Sequence, residues 1–182
     1  VRERDLEAGE LASLVRRCVD AVRGTDVKVV VNDRADVALA GGAHGVHLRS
    51  DSIAALTIRA LLPSNALVGR SVHSAEEAAA VSRAGGVDYL VFGTLFRTAS
   101  KDAAQRLTTL DELSAARRLT SVPILAIGGM TVENASACAR AGAAGVAAIG
   151  LFIPRAGQPP REYLRTLVSD LRRVFDTCGA VS

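Results

Sequence analysis

Aromatic side chains are almost absent from this chain, and their scarcity limits how a core can be built. Only 3% of the 182 residues are aromatic and none is tryptophan, although 49% are apolar. Alanine, valine and leucine must therefore fill the core, which suits helices packed closely on a parallel sheet. The length is typical of one domain, and we predict a single domain over residues 1–182.

Cysteine is also scarce, and long apolar runs are missing. The three cysteines, Cys18, Cys138 and Cys178, lie far apart and are odd in number. This spacing fits neither a disulfide framework nor a zinc site, and it favours reduced cysteines in a cytoplasmic protein. No apolar run reaches the length of a membrane-spanning helix and no signal-peptide pattern is present, so we expect no membrane partner.

The net charge of the chain is small and positive. A formal charge of +3 and an isoelectric point of about 9.1 make the chain mildly basic. This balance suits an anionic small molecule as the ligand. No block of lysine and arginine is long enough to indicate a nucleic-acid partner.

What the sequence does contain is a regular alternation of short apolar runs with amphipathic segments. Continuous apolar runs are typical of parallel strands that are buried on both faces. We predict strands at residues 27–31, 45–48, 67–72, 89–92, 123–127 and 145–149. We predict helices at residues 6–23, 34–40, 53–62, 75–84, 110–119, 132–141 and 161–175. Repeated βα units imply right-handed crossovers and a parallel sheet.

Two parallel architectures fit this alternation, an open doubly wound sheet and a closed (β/α)8 barrel. No Gly-x-Gly-x-x-Gly motif follows a strand, which weakens the dinucleotide-binding form of the open sheet. The chain starts with Val1 rather than methionine, and its first residues resemble the exit of a strand. We therefore predict an α/β fold of the TIM-barrel type whose N-terminal βα unit is missing. The two strand edges beside such a gap invite pairing with another chain, so a homo-oligomer is left open.

Polar side chains concentrate directly after the predicted strands. In a (β/α)8 barrel these loops all open on the C-terminal face of the strands, where barrel enzymes have their active sites. The pattern alone therefore predicts one shared pocket. The polar segments are Arg2 and Arg4, residues 32–34, residues 47–51, Ser71 and His73, residues 93–101, Gly128 with Gly129, and Gly150.

Gly128 and Gly129 follow a buried strand and precede a helix that Thr131 can cap. Glycine lets a phosphate approach backbone N–H groups closely, and a helix N-terminus favours its charge. A tight turn that merely needs glycine is the alternative explanation. A position after the penultimate strand, with Gly150 after the last strand, favours phosphate binding, because these two loops are the usual phosphate site of the barrel.

Asp33 directly follows a buried strand and is a candidate metal ligand. A carboxylate there can hold Mg2+, a hard cation that prefers oxygen ligands and bridges phosphates. The alternative is an N-cap for the helix that starts near Arg34, and Asn32 has the same two explanations. Arg34 could pair with Asp36 or face an anion.

The long segment 93–107 departs from the short connections that are typical of βα units, and long loops are often functional. Its hydroxyls and cations suit an oligophosphate, although a solvated charged loop is a serious alternative. The residues in question are Arg97, Thr98, Ser100 and Lys101.

Two histidines lie near the ends of predicted strands. We expect His73, which follows Ser71, to make a structural hydrogen bond rather than to act as a catalyst. We assign no chemistry to His47, which lies within a strand. No Ser-His-Asp or Cys-His arrangement is present in the pattern.

Taken together, several segments resemble the motifs of a known family. They are residues 31–40 (VNDRADVALA), 45–48 (GVHL), 69–77 (GRSVHSAEE), 88–101 (DYLVFGTLFRTASK), 126–131 (AIGGMT) and 141–147 (AGAAGVA). They resemble the thiamine phosphate synthase family, which also contains the closely similar thiazole tautomerases. The resemblance runs from residue 1 to about residue 152, and its motifs are specific jointly rather than singly.

The resemblance implies a Mg2+-dependent reaction of two small phosphate-bearing substrates. Pyrophosphate leaves a hydroxymethylpyrimidine diphosphate, and the nitrogen of a thiazole phosphate attacks the resulting pyrimidine cation. The protein would stabilise charge on the leaving group and position both substrates. By position, the resemblance implies that Arg2, Asn32 and Lys101 hold the diphosphate and that Arg4 replaces a usual lysine. Thr98, Ser100 and Gly129 would contact the thiazole phosphate.

We therefore predict three groups of functional residues from the loops and the resemblance together. Ser71 and Lys101 are predicted to be catalytic, and Asp33 and Asp51 to be metal ligands. The predicted substrate-binding residues are Arg2, Arg4, Asn32, Thr98, Ser100, Gly128, Gly129 and Gly150.

The segment after residues 45–48 departs from the family's pattern. Arg49 replaces a glycine, and Ser52 stands where the family has a second metal carboxylate, with Asp51 one position early. Either Asp51 substitutes after a small loop shift, or Mg2+ binding is weakened. Thr94 stands where the tautomerases have a catalytic histidine. Three hypotheses follow: a synthase, which we put first, a tautomerase-like enzyme, and a non-catalytic paralogue that binds phosphate ligands.

Overall fold

The structure is a computed structural model, and it describes residues 1–97 and 106–179. Over these residues the chain alternates strands with helices. The strands are β1 (Val30–Asn32), β2 (Gly45–Leu48), β3 (Leu67–Val72), β4 (Tyr89–Phe92), β5 (Ile124–Ile127) and β6 (Gly145–Ala147). The helices are α1 (Ala8–Ala21), α2 (Ala35–Gly41), α3 (Ala55–Leu61), α4 (Ala75–Ala84), α5 (Leu110–Leu119), α6 (Val132–Arg140) and α7 (Pro160–Gly179). A short 3-10 helix, Gly150–Phe152, follows β6.

The chain divides into two compact units. The first comprises Val1–Ser71 and Val81–Tyr89, and the second comprises Val72–Ala80 and the described residues after Tyr89. In the first unit β1, β2 and β3 are parallel neighbours in chain order. Its apolar core joins these strands to the helices and consists mainly of Leu11, Val15, Val31, Val37, Val46, Leu48, Ile58 and Val68. Burial of each such side chain contributes about 1.5–3 kcal/mol to the free energy of folding. This core therefore holds the strands of the first unit, and with them the loops at their carboxyl ends, in place.

In the second unit β5 pairs in parallel with both β4 and β6. A smaller core joins α6 to α7 through Ala135, Leu167 and Leu171. The Tyr163 hydroxyl donates to the Leu151 carbonyl at 2.7 Å, which ties α7 to the turn after β6. The strand order in this unit is again sequential.

Capping side chains begin two helices of the second unit. At α5 the Thr109 hydroxyl accepts from the Glu112 N–H at 3.1 Å, and the Glu112 carboxylate accepts from the Thr109 N–H at 2.8 Å. Thr131 and Asn134 form the same reciprocal pair at α6. Each box satisfies two backbone groups that a helix leaves without partners at its start.

The structure confirms the α/β class and the parallel strands, and it corrects several boundaries. Among the helices, α1 is shorter than the predicted 6–23, and α7 ends at Gly179 rather than at residue 175. β1 begins at Val30 rather than at residue 27, because the Val29 N–H donates to the His44 ring at 2.9 Å. β6 ends at Ala147 rather than at residue 149, because the chain turns into the 3-10 helix. Closure into a (β/α)8 barrel and the single domain stay predictions.

The first residue of the chain lies beside β1. The Val1 amino group donates to the Val30 carbonyl at 2.6 Å, and the Val1 carbonyl accepts from the Asn32 N–H at 2.9 Å. These two hydrogen bonds have the pattern found between parallel strands, and they place Val1 opposite Val31. The segment with Arg2 therefore leaves from the carboxyl end of β1, as the exit of a strand would.

The longest helix, α7, has 20 residues and is amphipathic. No helix within residues 1–97 and 106–179 has both the length and the apolar character that crossing a bilayer requires.

Replacing Gly41 with alanine should destabilise the first unit. A Cβ on Gly41 in α2 would lie 2.5 Å from Val15 Cγ1, and Val15 is fully buried in α1. Overpacking of this kind costs about 1–3 kcal/mol of unfolding free energy. Gly9→Ala is the matched control, because a Cβ on this glycine of α1 would meet nothing within 4 Å. Urea unfolding should show a loss only for Gly41→Ala, and equal stability of the two variants would contradict this packing.

Candidate functional site

The first candidate site lies at the carboxyl ends of β1, β2 and β3 in the first unit. Asp33, directly after β1, has a φ of 61°, and no other non-glycine residue in the described ranges has a positive φ. Its N–H donates to the His47 carbonyl at 2.9 Å, which extends the β1–β2 ladder by one bond. A left-handed backbone at such a residue costs about 1 kcal/mol or more, and such residues cluster at functional sites.

The Asp33 carboxylate contacts a side chain from the loop between β2 and α3. The Ser52 hydroxyl donates to Asp33 Oδ1, and the hydroxyl oxygen accepts from the Arg49 N–H at 2.9 Å. The N-cap of α2 is Arg34, which pairs with Asp36. The helix-capping explanation for Asp33 is therefore wrong, and its carboxylate faces the β2–α3 loop instead.

Arg49 and Asp51 form a bidentate ion pair on the same loop. Arg49 Nε donates to Asp51 Oδ1 at 2.8 Å, and Arg49 Nη2 donates to Asp51 Oδ2. The two side chains are 47% and 64% exposed. Their hydrogen bonds lower the pKa of the Asp51 carboxyl and raise the pKa of Arg49, so both are charged at neutral pH. Asp51 thus faces Arg49, whereas Ser52 faces Asp33.

Arg70 on β3 holds this loop by its backbone. Arg70 Nη1 donates to the Ile53 carbonyl at 2.9 Å, and Nη2 donates to the carbonyls of Ser50 and Ser52 at 2.9 and 2.7 Å. Its Nε is buried and makes no hydrogen bond within the described residues. Hydrogen bonds from a charged donor are stronger than neutral ones, so Arg70 fixes the positions of residues 50–53.

A second polar cluster in this unit joins β2 to β3. His47 Nε2 lies 2.9 Å from Ser71 Oγ, and His47 Nδ1 lies 3.2 Å from the Tyr89 hydroxyl. The His47 and Tyr89 rings are stacked, with centroids 5.6 Å apart. Gly69 makes room for this stack, since a Cβ there would lie 2.1 Å from Tyr89 Cζ. The three polar side chains therefore form one hydrogen-bonded series that ends at Ser71.

Burial keeps this series uncharged. Removal from water lowers the pKa of His47 to about 4 and raises the pKa of Tyr89 to about 12. A neutral imidazole has one N–H and one acceptor nitrogen, so His47 can donate to one neighbour and accept from the other. His47 therefore positions the Ser71 hydroxyl without adding a positive charge beside it.

The second candidate site follows β5 in the second unit. Gly128 and Gly129 have φ values of 108° and 56°, which favour glycine. The Phe96 N–H donates to the Gly128 carbonyl at 3.2 Å, and a Cβ on Gly128 would lie 2.4 Å from Thr94 Cγ2. The glycines thus let the segment after β4 pack directly on this turn. The structure thus supports a tight turn as a reason for glycine at these two positions. Phosphate binding by Gly128 and Gly129 stays a prediction.

Gly150 begins the 3-10 helix after β6 and has a different environment. A Cβ on Gly150 would meet nothing within 4 Å, and the preceding Ile149 is 79% exposed. The described part of the second unit therefore leaves space for a ligand at Gly150, whereas Gly128 is closely packed.

Two further residues of the second unit, His73 and Thr94, have structural contacts. His73 Nδ1 is hydrogen-bonded to the Gly93 carbonyl, which is the structural bond expected of it. Thr94 is buried, and its carbonyl accepts from the Thr108 N–H at 2.8 Å. The position where a tautomerase would need a catalytic histidine thus holds a buried side chain that does not titrate.

The remaining predicted residues are placed only in part. Arg2 and Arg4 are exposed on the segment that leaves the carboxyl end of β1 beside Asn32. Thr98, Ser100 and Lys101 lie outside the described residues.

Comparison with known proteins identifies the family of the chain. A family model described as thiamine monophosphate synthase matches residues 1–152. The chain belongs to this family. The predicted family is therefore confirmed.

Relatives in this family match most of the chain. Thiamine-phosphate synthases of Koribacter versatilis and Roseiflexus castenholzii are 38% and 37% identical to it over 168 and 171 residues. These matches cover 92% and 94% of this chain and 79% and 73% of the relatives. A solved thiamine phosphate pyrophosphorylase from Pyrococcus furiosus superposes with a TM-score of 0.80 at 28% identity, covering 97% of this chain and 81% of that one.

The first candidate site fits Mg2+ through one carboxylate. Within residues 1–97 and 106–179, no group of three or more His, Cys, Asp or Glu side chains is placed to hold a metal. Mg2+ needs fewer protein ligands, because it usually binds one or two carboxylates together with substrate phosphates and water. Asp33, with the Ser52 hydroxyl beside it, meets that need, while Asp51 is occupied by Arg49. Mg2+ binding stays a prediction, with Asp33 as its first ligand.

Sequence reasoning assigns no role to His47 and Arg70, yet both position residues of the first site. The parallel register could have revealed His47, because it pairs with Gly69 and Ser71 lies two residues further along the same face. No comparable signal marks Arg70, since its partners are backbone carbonyls of the β2–α3 loop.

Replacing His47 with asparagine should flatten the pH dependence of stability. The unfolded chain binds a proton on this histidine near pH 6.5, whereas the folded chain binds it only near pH 4, so acidification favours unfolding. From about pH 7 to about pH 4.5 this linkage removes about 2 kcal/mol of unfolding free energy. Urea unfolding at both pH values should show that loss in the parent and in the control His73→Asn, but not in His47→Asn. An equal loss in all three proteins would contradict a neutral, buried His47.

Proposed function

We propose that this chain is a thiamine phosphate synthase, a transferase that joins hydroxymethylpyrimidine diphosphate to thiazole phosphate and releases pyrophosphate. The main observation in support is that Asp33, Ser52 and Ser71 lie at or after the carboxyl ends of three adjacent parallel strands. The grouping offers a carboxylate for a cation and a held hydroxyl for the leaving group. The chain's membership of the thiamine monophosphate synthase family supports the same activity.

The chemistry explains why few protein groups are needed. The bond between the hydroxymethyl carbon and the diphosphate oxygen breaks, and pyrophosphate leaves with the electron pair. The thiazole nitrogen then donates its lone pair to that carbon and closes the new C–N bond. The protein must offset the negative charge that grows on the leaving group and hold the second substrate in line. Mg2+, when bound, supplies positive charge at the diphosphate oxygens.

Each of these tasks is assigned to named residues of the chain. Asp33 would hold Mg2+, and the hydrogen bond from Ser52 would keep its carboxylate oriented. Ser71, positioned by the neutral His47, would donate to an oxygen of the leaving group. Further donors to the diphosphate would be Arg2, Arg4, Asn32 and Lys101, and contacts to the thiazole phosphate would come from Thr98, Ser100, Gly128, Gly129 and Gly150.

We also infer that the strands belong to a (β/α)8 barrel and that the protein acts in the cytoplasm on free small molecules. The sequential parallel order within each unit supports the barrel, because a doubly wound sheet reverses its strand order at a switch point. The scattered cysteines support a reducing compartment.

The tautomerase hypothesis gains no support from the described residues. The tautomerase reaction moves a proton, which requires a titratable group near the thiazole. Thr94 occupies the corresponding position and is buried. The synthase reaction needs no such base, because its bond changes involve an electron pair of nitrogen and a leaving anion.

Replacing Asp33 with asparagine should reduce turnover by about 100-fold or more, since groups that merely orient a metal ligand are worth about 10–100-fold. The assay mixes the chain with both substrates and Mg2+ and follows pyrophosphate release together with thiamine phosphate by mass. Asp36→Asn is the control, because Asp36 is an exposed carboxylate that pairs with Arg34 after the same strand. Its activity should stay close to that of the parent.

Two results would argue against the synthase itself, and a further one would argue only against the role of Asp33. Pyrophosphate release that does not need the thiazole phosphate would indicate hydrolysis. Turnover that is unaffected by Asp33→Asn would remove the role of this carboxylate. A folded chain that binds both phosphates without turnover would favour the non-catalytic paralogue.

A further inference from the structure

The ion pair between Arg49 and Asp51 is not needed to hold the loop that carries it. Both side chains are largely exposed, and exposed ion pairs contribute little to stability. The loop is fixed by other contacts, since Arg70 binds three of its carbonyls. The pair can therefore open while the backbone of residues 50–53 stays in place.

Arg49 is anchored close to the carboxylate that we assign to Mg2+. The Arg49 N–H donates to Ser52 Oγ, and the same hydroxyl donates to Asp33. One hydroxyl group thus links the backbone of Arg49 to Asp33. A flexible guanidinium with this anchor can reach an anion that is bound at Asp33 through a cation.

Guanidinium and diphosphate match in both shape and charge. The fork of N–H groups that now binds the two oxygens of Asp51 fits two phosphate oxygens equally well. When the pair opens, the Asp51 carboxylate becomes free to face a cation. A metal diphosphate offers opposite charges to both partners at once, so their exchange leaves no charge uncompensated.

We propose that Arg49 is a diphosphate-binding residue of this chain and that Asp51 competes for its guanidinium until a metal diphosphate separates the two. The proposal rests on the synthase function proposed for the same site. It makes Arg49 a determinant of affinity for the diphosphate substrate, and it gives Asp51 two opposite effects: Asp51 hinders the metal-free anion and helps the metal-bound one.

The test measures the affinity of the whole chain for inorganic pyrophosphate by calorimetry, once with a chelator and once with Mg2+. Arg49→Gln should weaken binding about 10-fold or more in both conditions, because a charge-assisted contact is lost. Arg49→Lys should restore only part of the affinity, since it keeps the charge without the fork. Asp51→Asn should tighten metal-free binding by about 2- to 5-fold, the range of an exposed ion pair, and should weaken binding in Mg2+.

Asp20 and Arg23 provide the matched control pair. They form an exposed ion pair in the same unit, before β1 rather than after a strand. Asp20→Asn and Arg23→Gln change the net charge in the same way as the test variants and should leave both affinities unchanged. Equal changes in pyrophosphate affinity for the two pairs of variants would show that only net charge matters, and this result would overturn the proposal.

The same measurements separate this inference from the proposed function. A parent chain that turns over both substrates, with affinities that Arg49→Gln leaves unchanged, overturns the role of Arg49 and leaves the synthase standing. If Asp51→Asn changes the affinity for pyrophosphate in the same direction with chelator and with Mg2+, the proposed exchange of Arg49 from Asp51 to the diphosphate is overturned. A parent chain that binds no pyrophosphate in Mg2+ overturns both proposals together.

Discussion

The hydrogen bond from the Asp33 N–H to the His47 carbonyl is the contact on which the first candidate site depends. It continues the β1–β2 ladder past Asn32, and Asp33 makes it with a left-handed φ of 61°. The same register that places Asn32 opposite His47 places His47 opposite Gly69, within reach of Ser71. A slip of one residue between these strands would turn every side chain to the opposite face. The candidate metal ligand and the held hydroxyl therefore both depend on one strand register.

The β2–α3 loop is held largely through its backbone. Arg70 binds the carbonyls of Ser50, Ser52 and Ile53, which any residue at those positions would present. Arg70 itself is tied to β3, whose neighbours are fixed by the core of the first unit. This arrangement explains how the loop can carry Arg49 and Ser52 where the family's pattern has a glycine and a carboxylate. The departure that the resemblance implies changes the charges that the loop presents, while the carbonyls that Arg70 binds are common to all residues.

Sequence reasoning predicted the elements and the positions of candidate residues better than it predicted their partners. The alternation of strands and helices, the cap at Thr131, and the family were all accessible, because they depend on local pattern and on motifs. The start of β1 was not, because a ring nitrogen of His44 takes the Val29 N–H. The contact of Ser52 with Asp33, the pairing of Asp51 with Arg49 and the role of His47 depend on distances across strands. No single segment of sequence contains those distances.

The charges of the first site favour binding of an anion together with its cation. His47 is neutral, and Asp51 is balanced by Arg49, so neither adds a net charge. Within the described residues Asp33 contacts a neutral hydroxyl and has no ion-pair partner, which leaves one negative charge to attract a cation. Two free carboxylates would hold Mg2+ more tightly but would also repel a diphosphate more strongly. With Ser52 in place of a carboxylate, the site has less repulsion to overcome, and the cation gains much of its binding energy from the phosphate oxygens that it brings with it.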